Sequence, residues 1–296
     1  MRVRHVLAGL AVAALLPGTA HAVSGYRTLP STNLELIHYR AHGGDLRSAW
    51  LLVPVNIRRK TIPLVISPHG RGTSALANMR VWGELPGLGD FAVINPAGEG
   101  RRLKLFSWGY AGQIDDLARM PQIAKAHGVP VALTRVYAIG GSMGGQETLL
   151  LLAKYPHLLA GAAAFDPDTD MARRYWDFAR LPGGAVLQRL AREEVGGTPL
   201  TDPRAYAFRS PDAYARQIAL SGVPLQLWWS SRDRVISDQV DETGALAEEI
   251  LGWNPKAPLI VFRGTWRHTA EMKWSTRLPV ALIRFHLLRR SQAIQV

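Results

Sequence analysis

A pentapeptide with the spacing of a serine nucleophile, Gly140–Gly144 (GGSMG), lies near the middle of the chain. Its pattern, G-x-S-x-G, places a serine hydroxyl on a tight turn between a strand and a helix. Glycine is needed two residues before and two after the serine, because a side chain there would collide with the neighbouring backbone. The pattern alone is weak evidence, so its context decides. Val136–Ile139 has the composition of a buried strand and Gln146–Tyr155 that of a buried helix, which predicts that Ser142 is a nucleophile.

A serine hydroxyl needs an adjacent base, itself oriented by a third group, before it can attack a carbonyl at neutral pH. In a strand–serine–helix architecture an acid and then a histidine follow the serine along the chain. Asp233 and His268 fit this order, since each comes just after one of the last two strand-like runs. Both are expected at the same edge of the sheet as Ser142. The alternatives are a surface position for His268, and Asp238 or Asp241 as the acid, although these two are expected at a helix start.

With these residues in place, the chain resembles the α/β-hydrolase superfamily. The resemblance rests on the turn at Ser142, the D-x-V segment at Asp233, the late His268 and a His-Gly pair at 69–70. It extends from about residue 34 to residue 288. Within the superfamily the chain looks nearest to secreted esterases and depolymerases and to lone catalytic domains of the prolyl-oligopeptidase type. The resemblance implies a triad of these three residues and an acyl-enzyme mechanism.

The same mechanism requires two backbone N–H groups that bind the oxyanion of the transition state. One donor is expected from Met143, the residue after the nucleophile. The second is expected from Arg71, with Gly70 as the alternative if the register differs by one residue. Losing one such donor typically costs about 3–4 kcal/mol of transition-state stabilisation. His69 precedes this turn and is expected to order the loop rather than to act as a base.

The elements that must position these residues alternate between strand-like and helix-like runs, which predicts an α/β fold with a mostly parallel central sheet flanked by helices. The first two strands are expected to pair with each other. Predicted strands cover residues 34–39, 48–55, 63–67, 91–95, 136–139, 159–165, 225–230 and 259–262. Predicted helices outside the interrupted region cover residues 112–126, 146–155 and 275–288.

The alternation is interrupted between Asp166 and Ser221, where two or three helical segments are separated by glycine pairs. An insertion here would lie beside the carboxyl ends of the strands, where ligands bind in open α/β sheets. Residues 166–221 are therefore predicted to form a helical cap over the site. The segments expected to be helical are 171–179, 185–195 and 211–219.

Several tryptophans could form the wall of a substrate pocket. Trp266 is two residues before the expected base and is the strongest candidate. Trp176 falls in the predicted cap, and Trp108 lies in a loop between two elements. Trp228 and Trp229 stand inside a predicted strand, so core packing is the favoured interpretation for them.

The first residues look like a targeting segment. A basic start at Arg2 and Arg4, an apolar run over residues 6–16 and the small-x-small triplet Ala20–Ala22 are typical of a secretory signal peptide cut before Val23. The apolar run is too short to span a bilayer, so no stable membrane anchor is expected. The sequence thus predicts a signal peptide over 1–22, one catalytic domain over 23–296, and a secreted or periplasmic protein. The chain has no cysteine, so its fold must rest on its core.

The formal net charge is +12, and it falls to +10 when Arg2 and Arg4 leave with the signal peptide. The remaining arginines are scattered and no nucleic-acid module is present, so no nucleic-acid partner is expected. His38 and His42 are four residues apart, but a glycine pair follows and no carboxylate is placed to complete a metal site. No phosphate-binding glycine loop is present, and no cofactor or metal is predicted.

Together these features predict a secreted serine hydrolase that cleaves carboxylic esters, with a small-molecule or polymeric ester as its substrate. A peptidase of the prolyl-oligopeptidase type keeps the same triad and is the main alternative. Such enzymes usually carry a large N-terminal propeller, for which the roughly 120 mature residues before Ser142 leave no room. A non-catalytic binding module on the same fold is the third interpretation, and a full set of catalytic residues argues against it.

Overall fold

The computed structural model describes residues 31–293, so the predicted signal peptide at 1–22 lies outside the described residues. The strands are β1 (Thr32–Arg40), β2 (Leu46–Pro54), β3 (Ile62–Ile66), β4 (Ala92–Pro96), β5 (Val131–Gly141), β6 (Gly161–Phe165), β7 (Leu225–Ser230) and β8 (Leu259–Gly264). The helices are α1 (Ala75–Met79), α2 (Leu85–Gly89), α3 (Ala111–Ala126), α4 (Met143–Lys154), α5 (Met171–Asp177), α6 (Gly184–Val195), α7 (Pro203–Ala207), α8 (Ala215–Leu220), α9 (Ala245–Trp253), α10 (Leu278–Arg284) and α11 (Arg290–Ala293).

All eight strands form one sheet in the order β1-β2-β4-β3-β5-β6-β7-β8. The β1–β2 and β2–β4 pairs are antiparallel, and every later pair is parallel. The predicted fold class and the predicted pairing of the first two strands are therefore confirmed. Because β3 through β8 run in one direction, the loops that follow them meet at one edge of the sheet.

Apolar helices cover both faces of the sheet, as the alternation of runs predicts. Helices α3, α4, α8 and α9 pack on one face, and α1, α2 and α10 pack on the other. The central leucines of α4, Leu149–Leu152, are all buried. They point in every direction around the helix, because α4 lies between the sheet on one side and α3 and α8 on the other. A helix in this position must be apolar all round.

The final predicted helix, 275–288, is shorter than expected, because α10 covers only Leu278–Arg284. Pro279 occupies the first turn of α10, where proline is well tolerated. The chain leaves the helix near His286, whose φ of 56° lies in the left-handed region. Helices α1 and α2 were not predicted, because each has five residues and is too short for a periodic pattern.

The interrupted region between β6 and β7 contains four helices, α5 to α8, in place of the two or three that were predicted. Its last helix, α8, packs against α4 and α9 and so belongs to the main body. The earlier helices form a separate apolar cluster with two residues of the main body, Trp108 and Met143. The members of this cluster from the interrupted region are Met171, Tyr175, Phe178, Ala191, Val195 and Tyr206.

One buried carboxylate, that of Glu194 in α6, fastens this region to the loop after β4. It accepts hydrogen bonds from the backbone N–H groups of Arg101, Arg102 and Leu103 at 2.6–2.9 Å. The guanidinium of Arg209 lies 3.2 Å from the same carboxylate and also donates to the carbonyl of Ser107 at 2.6 Å. These contacts join three segments that are far apart in the sequence.

Replacing Glu194 with Ala should destabilise the fold by about 3–5 kcal/mol, because Arg209 would remain buried without its charged partner. The shift of the urea unfolding midpoint measures this loss. The neighbouring Glu193 is exposed, so Glu193→Ala should change the free energy of unfolding by no more than about 0.5 kcal/mol. Equal shifts for the two variants would mean that Glu194 does not fasten the loop.

Candidate active site

Ser142 lies at the turn between β5 and α4, as its pentapeptide predicts. Its φ of 58° and ψ of −129° are a conformation that non-glycine residues rarely adopt. The turn is held by a hydrogen bond of 2.9 Å from the N–H of Ser142 to the carbonyl of Phe165 at the end of β6. This strained backbone projects the serine side chain from the sheet edge into the cavity described below.

Two glycines of the pentapeptide are required by close approach of the backbone. A Cβ on Gly140 would collide with the carbonyl of Gly144, and a Cβ on Gly144 would collide with the carbonyl of Pro68. The second contact brings the turn against the loop that follows β3. Because of this contact, Gly70 also lies beside Ser142. A Cβ added to Gly70 would lie 3.8 Å from the Cβ of Ser142.

The structure brings His268 and Asp233 together, although 35 residues separate them in the sequence. Nδ1 of His268 lies 2.6 Å from Oδ2 of Asp233. The other oxygen, Oδ1, accepts hydrogen bonds from the N–H groups of Val235 at 2.8 Å and Ile236 at 3.0 Å. The carboxylate is thus fixed on both sides, and it fixes the orientation of the imidazole.

These contacts also control the ionisation of Asp233. Burial is the largest influence and raises its pKa, but the hydrogen bond from His268, the charge of the imidazolium and the two backbone donors outweigh it. The pKa of Asp233 is consequently held below its ordinary value. An ionised carboxylate at this position stabilises an imidazolium when a proton reaches the ring.

Ser142 and His268 line one cavity of about 360 Å³ at the carboxyl edge of the sheet. Its other walls come from the loop after β3, helix α1, and the loops after β7 and β8. The residues that line it besides these two are Gly70, Arg71, Thr73, Ala77, Asn78, Val81, Gly141, Val235, Thr269, Met272 and Lys273. Apolar side chains alternate with polar ones around the serine, so the cavity suits a small, mostly apolar ligand with one polar group.

The expected oxyanion donors, Met143 and Arg71, flank the serine. Met143 is the first residue of α4, and Arg71 and Gly70 both line the cavity. Within the described residues, neither the N–H of Met143 nor that of Arg71 donates a hydrogen bond to another protein group. Both backbone donors are therefore free for a ligand. The Arg71 guanidinium stacks over the ring of Phe178, 5.4 Å from its centroid, which draws this side chain towards helix α5.

His69 is buried and contacts the backbone of two loops, which fits the predicted role of ordering the loop after β3. Its Nδ1 lies 2.9 Å from the carbonyl of Gly70, and its Nε2 lies 3.3 Å from the carbonyl of Ala97. Burial lowers the pKa of His69, although both carbonyl contacts oppose this. A neutral imidazole has one N–H and donates to only one of these carbonyls at a time. Because His69 is buried and is not among the residues that line the cavity, it is not placed to act as a base there.

Asp166, a carboxylate that was not among the predicted site residues, holds the loop that carries His268. Its Oδ2 accepts hydrogen bonds from the N–H of Thr269 at 2.7 Å and from Nε1 of Trp266 at 2.9 Å. Its Oδ1 accepts from the N–H of Ser230, at the end of β7, at 2.9 Å. Asp166 is the first residue after β6. The carboxyl ends of parallel strands meet at one edge of the sheet, so the position of Asp166 after β6 was a usable signal. The prediction instead counted Asp166 as the first residue of the cap.

Asp166, Asp233 and His268 form a compact cluster whose ligand-type atoms lie within 4.8 Å of one another. Burial and then the charge of Asp233 raise the pKa of Asp166 to about 6. Because most of these atoms already bind backbone N–H groups or each other, the cluster is a hydrogen-bonded network that holds the imidazole. The two carboxyls differ in task, since Asp233 contacts the ring and Asp166 contacts the loop.

None of the three tryptophans proposed for the substrate pocket is among the described residues that line the cavity. Trp108 is buried against Phe178, with ring centroids 5.7 Å apart, so it is a core residue. Trp266 turns away to bind Asp166. Trp176 is 47% exposed and packs edge-on against Tyr175. Core packing holds the indole of Trp108 and the hydrogen bond to Asp166 holds that of Trp266, whereas Trp176 lies exposed outside the cavity.

The predicted cap also stays clear of this cavity, as no described residue of 166–221 lines it. The cap instead meets the site from the side, through Phe178 and the Arg71 guanidinium. Its role as a cap remains a prediction.

None of the helices in the described part of the chain is long and apolar enough to cross a membrane.

No family model and no curated protein matches the sequence. Solved structures match over 86% of the chain. An esterase from Pyrococcus furiosus aligns with a TM-score of 0.63 at 17% identity, over 92% of its own length. Dipeptidyl peptidase 4 from Porphyromonas gingivalis aligns with a TM-score of 0.65 at 18% identity, but this chain spans only 35% of it. Acylaminoacyl peptidase from Pyrococcus horikoshii gives 0.66 at 12% identity, over 42% of its length.

We expect Asp233→Asn to lower any hydrolysis by Ser142 by about 10³–10⁴-fold, because the amide cannot keep the imidazole in the required tautomer. Asp166→Asn should cost only about 10-fold or less, because Asp166 positions the loop and does not bind the ring. Turnover numbers for the two variants on one ester measure the contrast. Equal losses would show that the acid has been assigned to the wrong carboxyl or that the two share its role.

Another buried carboxyl, that of Glu147 in α4, makes the free energy of unfolding depend on pH. Burial raises its pKa to about 7, despite hydrogen bonds from Ser107 and Gln113. A folded-state pKa above the unfolded one means that the folded protein holds the proton more tightly. Its contribution to stability is therefore complete below the ordinary glutamate pKa and is lost as pH rises through about 7.

Glu147→Gln should thus raise the melting temperature at pH 8 relative to the wild type and leave it nearly unchanged at pH 5. Differential scanning calorimetry of both proteins at the two pH values measures this difference. The exposed Glu248 provides a control, since Glu248→Gln should not alter the pH profile. A wild-type and Glu147→Gln pair with parallel profiles would contradict the raised pKa.

Proposed function

The chain has the α/β-hydrolase fold, and we propose that it is a serine hydrolase that cleaves carboxylic esters through an acyl-enzyme intermediate. One observation carries the proposal. The strained serine shares a cavity with His268, whose Nδ1 is 2.6 Å from a buried carboxylate on its far side. Nucleophile, base and orienting acid are the three components that acyl transfer by serine requires.

In the acylation step, Oγ of Ser142 attacks the ester carbonyl and its proton passes to Nε2 of His268. Asp233 accepts the Nδ1–H of the ring and stabilises the imidazolium that forms. The N–H groups of Met143 and Arg71 bind the carbonyl oxygen as it becomes negative. Such donors stabilise the transition state more than the ground state, because the charge develops only there. The imidazolium then protonates the leaving alcohol.

Deacylation repeats these steps with water. Water gives its proton to Nε2 of His268 and attacks the acyl carbon, and the same N–H groups bind the oxyanion. The collapse of this second intermediate releases the acid and returns the proton to Ser142. Because the imidazole must be neutral to accept a proton, hydrolysis requires the unprotonated form of His268.

The cavity favours a substrate with a short acyl or alcohol group. Its volume of about 360 Å³ is near the small end of the range of roughly 300–1,000 Å³ for small-molecule sites. Ala77, Val81, Val235 and Met272 form its apolar walls. The exposed Lys273 at the rim adds a positive charge that would favour a substrate with an anionic end.

Peptide hydrolysis is the second candidate function, and two structural neighbours favour it. A dipeptidyl peptidase and an acylaminoacyl peptidase share the fold, but this chain spans 35% and 42% of them. The esterase neighbour is matched over 92% of its length. Likeness of fold does not decide between these substrates, so the ester proposal rests on the small cavity.

Export is part of the proposal. The basic start, the apolar run over 6–16 and the triplet Ala20–Ala22 have the pattern of a signal peptide, which would place the mature enzyme outside the cytoplasm, secreted or periplasmic. The absence of cysteine means that the mature chain would need no disulfide formation there. N-terminal sequencing of the exported protein checks the cut before Val23.

A fluorophosphonate probe should label the wild-type protein at Ser142 and fail to label Ser142→Ala. Both proteins should then be assayed on p-nitrophenyl acetate, butyrate and decanoate and on aminoacyl and prolyl p-nitroanilides. The expected result is hydrolysis of the shorter esters, with the activity lost in the alanine variant. Ser210→Ala serves as the control, because Ser210 is buried away from the cavity.

The outcomes separate the candidates. Full labelling of Ser142→Ala would contradict the triad. Labelling of the wild type with turnover of the anilides, and none of the esters, would favour the peptidase and overturn the ester proposal.

A further inference from the structure

A second cluster of chemically active groups lies outside the serine site. It joins His42 in the β1–β2 turn, Glu99 in the loop after β4, and Asp116 in α3. Nδ1 of His42 lies 3.6 Å from Oε2 of Glu99 and 3.7 Å from Oδ2 of Asp116. The ligand-type atoms of all three residues lie within 4.8 Å of one another. Seventy-four residues separate His42 from Asp116, so the sequence alone could not pair them.

The outer oxygen of each carboxylate is already bound. Oε1 of Glu99 accepts a hydrogen bond from Arg47 at 3.3 Å. Oδ1 of Asp116 accepts from the backbone N–H of His42 at 2.7 Å and from Arg119 at 2.9 Å. These contacts fix the orientation of both carboxylates, as outer-shell partners do around metal ligands.

The inner oxygens are different. Oε2 of Glu99 and Oδ2 of Asp116 are buried, and no N–H or hydroxyl group of the described residues donates a hydrogen bond to either of them. Both face the Nδ1 of His42. A buried carboxylate oxygen that receives no hydrogen bond is costly. Two carboxylates aimed at one point need a cation or a shared proton between them.

We infer that His42, Glu99 and Asp116 form a binding site for a divalent cation, with Zn²⁺ as the best fit. Atoms bound to one metal at about 2.1 Å in a tetrahedron lie about 3.4 Å apart, close to the 3.6 Å and 3.7 Å observed. One imidazole nitrogen with two carboxylate oxygens is a ligand set that zinc accepts, whereas Mg²⁺ and Ca²⁺ prefer oxygen alone.

The residues around His42 leave room for its imidazole ring. Gly112, in the first turn of α3, has no side chain, and a Cβ there would collide with the imidazole of His42. The side chain of His42 is 29% exposed, whereas both carboxylates are almost fully buried. A cation could enter from the solvent side and keep a water molecule as its fourth ligand.

A cation here would fasten the loop after β4 to the β1–β2 turn and to α3. That loop continues to Trp108, which packs beside Met143. The site is separate from the triad, so the inference does not depend on the proposed hydrolysis. Its direct effect would be on stability.

The test uses untagged full-length protein that has been treated with EDTA and freed of the chelator. Isothermal titration with ZnCl₂ should give one equivalent of bound zinc. At 100 times the dissociation constant, the melting temperature should rise by about 5 °C. His42→Ala should weaken binding by at least about 10–100-fold, the loss seen even when an outer-shell partner is removed.

Two variants serve as controls. His38→Ala removes an exposed histidine from the same hairpin and should bind zinc as the wild type does. His268→Ala tests the triad, where a histidine also meets two carboxylates, and should also retain binding. Loss of binding in His268→Ala with normal binding in His42→Ala would overturn the inference.

An ion pair without a metal is the remaining outcome to exclude. If His42 is an imidazolium between two carboxylates, His42→Ala lowers the melting temperature of the metal-free protein and zinc changes neither protein. The absence of a zinc effect on the wild type would overturn the inference. Titration with MgCl₂ and CaCl₂ should give weaker binding, and a preference for either ion over zinc would contradict the ligand assignment.

Discussion

The close approach of two backbone segments, at Gly144 and the carbonyl of Pro68, is the constraint on which the site depends. It follows from the strand order, which places β3 directly beside β5 with Ile66 opposite Ala138. The loops that leave these strands must therefore cross within van der Waals distance. One of them carries the serine and the other carries Arg71, the proposed oxyanion donor. A side chain at the crossing would separate the nucleophile from that donor.

Buried carboxylates that bind backbone N–H groups hold the remaining loops. Glu194 binds three such groups, Asp233 two, and Asp166 two together with the Trp266 indole. A chain without cysteine cannot fix long loops with disulfides, and this device replaces them. Hydrogen bonds to charged groups are stronger than those between neutral groups. Burial also raises the pKa of Asp166, so the architecture and its response to pH are linked at this carboxyl.

The sequence predicted the features that local pattern encodes. The pentapeptide around Ser142 located the turn, and the alternation of apolar runs predicted the sheet and most of its helices, because burial on both faces imposes those patterns. Features that depend on distant side chains escaped it. In the sequence Asp166 is an ordinary loop residue, and only the strand order brings its carboxylate within hydrogen-bond distance of the N–H of Thr269. The indole of Trp266 donates to the same carboxylate and does not line the cavity. His42 likewise gains its two carboxylates only through the fold.

The hydrogen bonds around His268 also bear on how the protein folds. The contact with Asp233 spans 35 residues of chain, and the contact between Thr269 and Asp166 spans 103. Loops of this length close late, because their entropy is lost before any contact compensates for it. Helices such as α4 can form on a much shorter timescale. The contacts around His268 therefore form only when β6, β7 and β8 have joined the sheet, and a refolding chain would regain its helical structure well before it regained this arrangement.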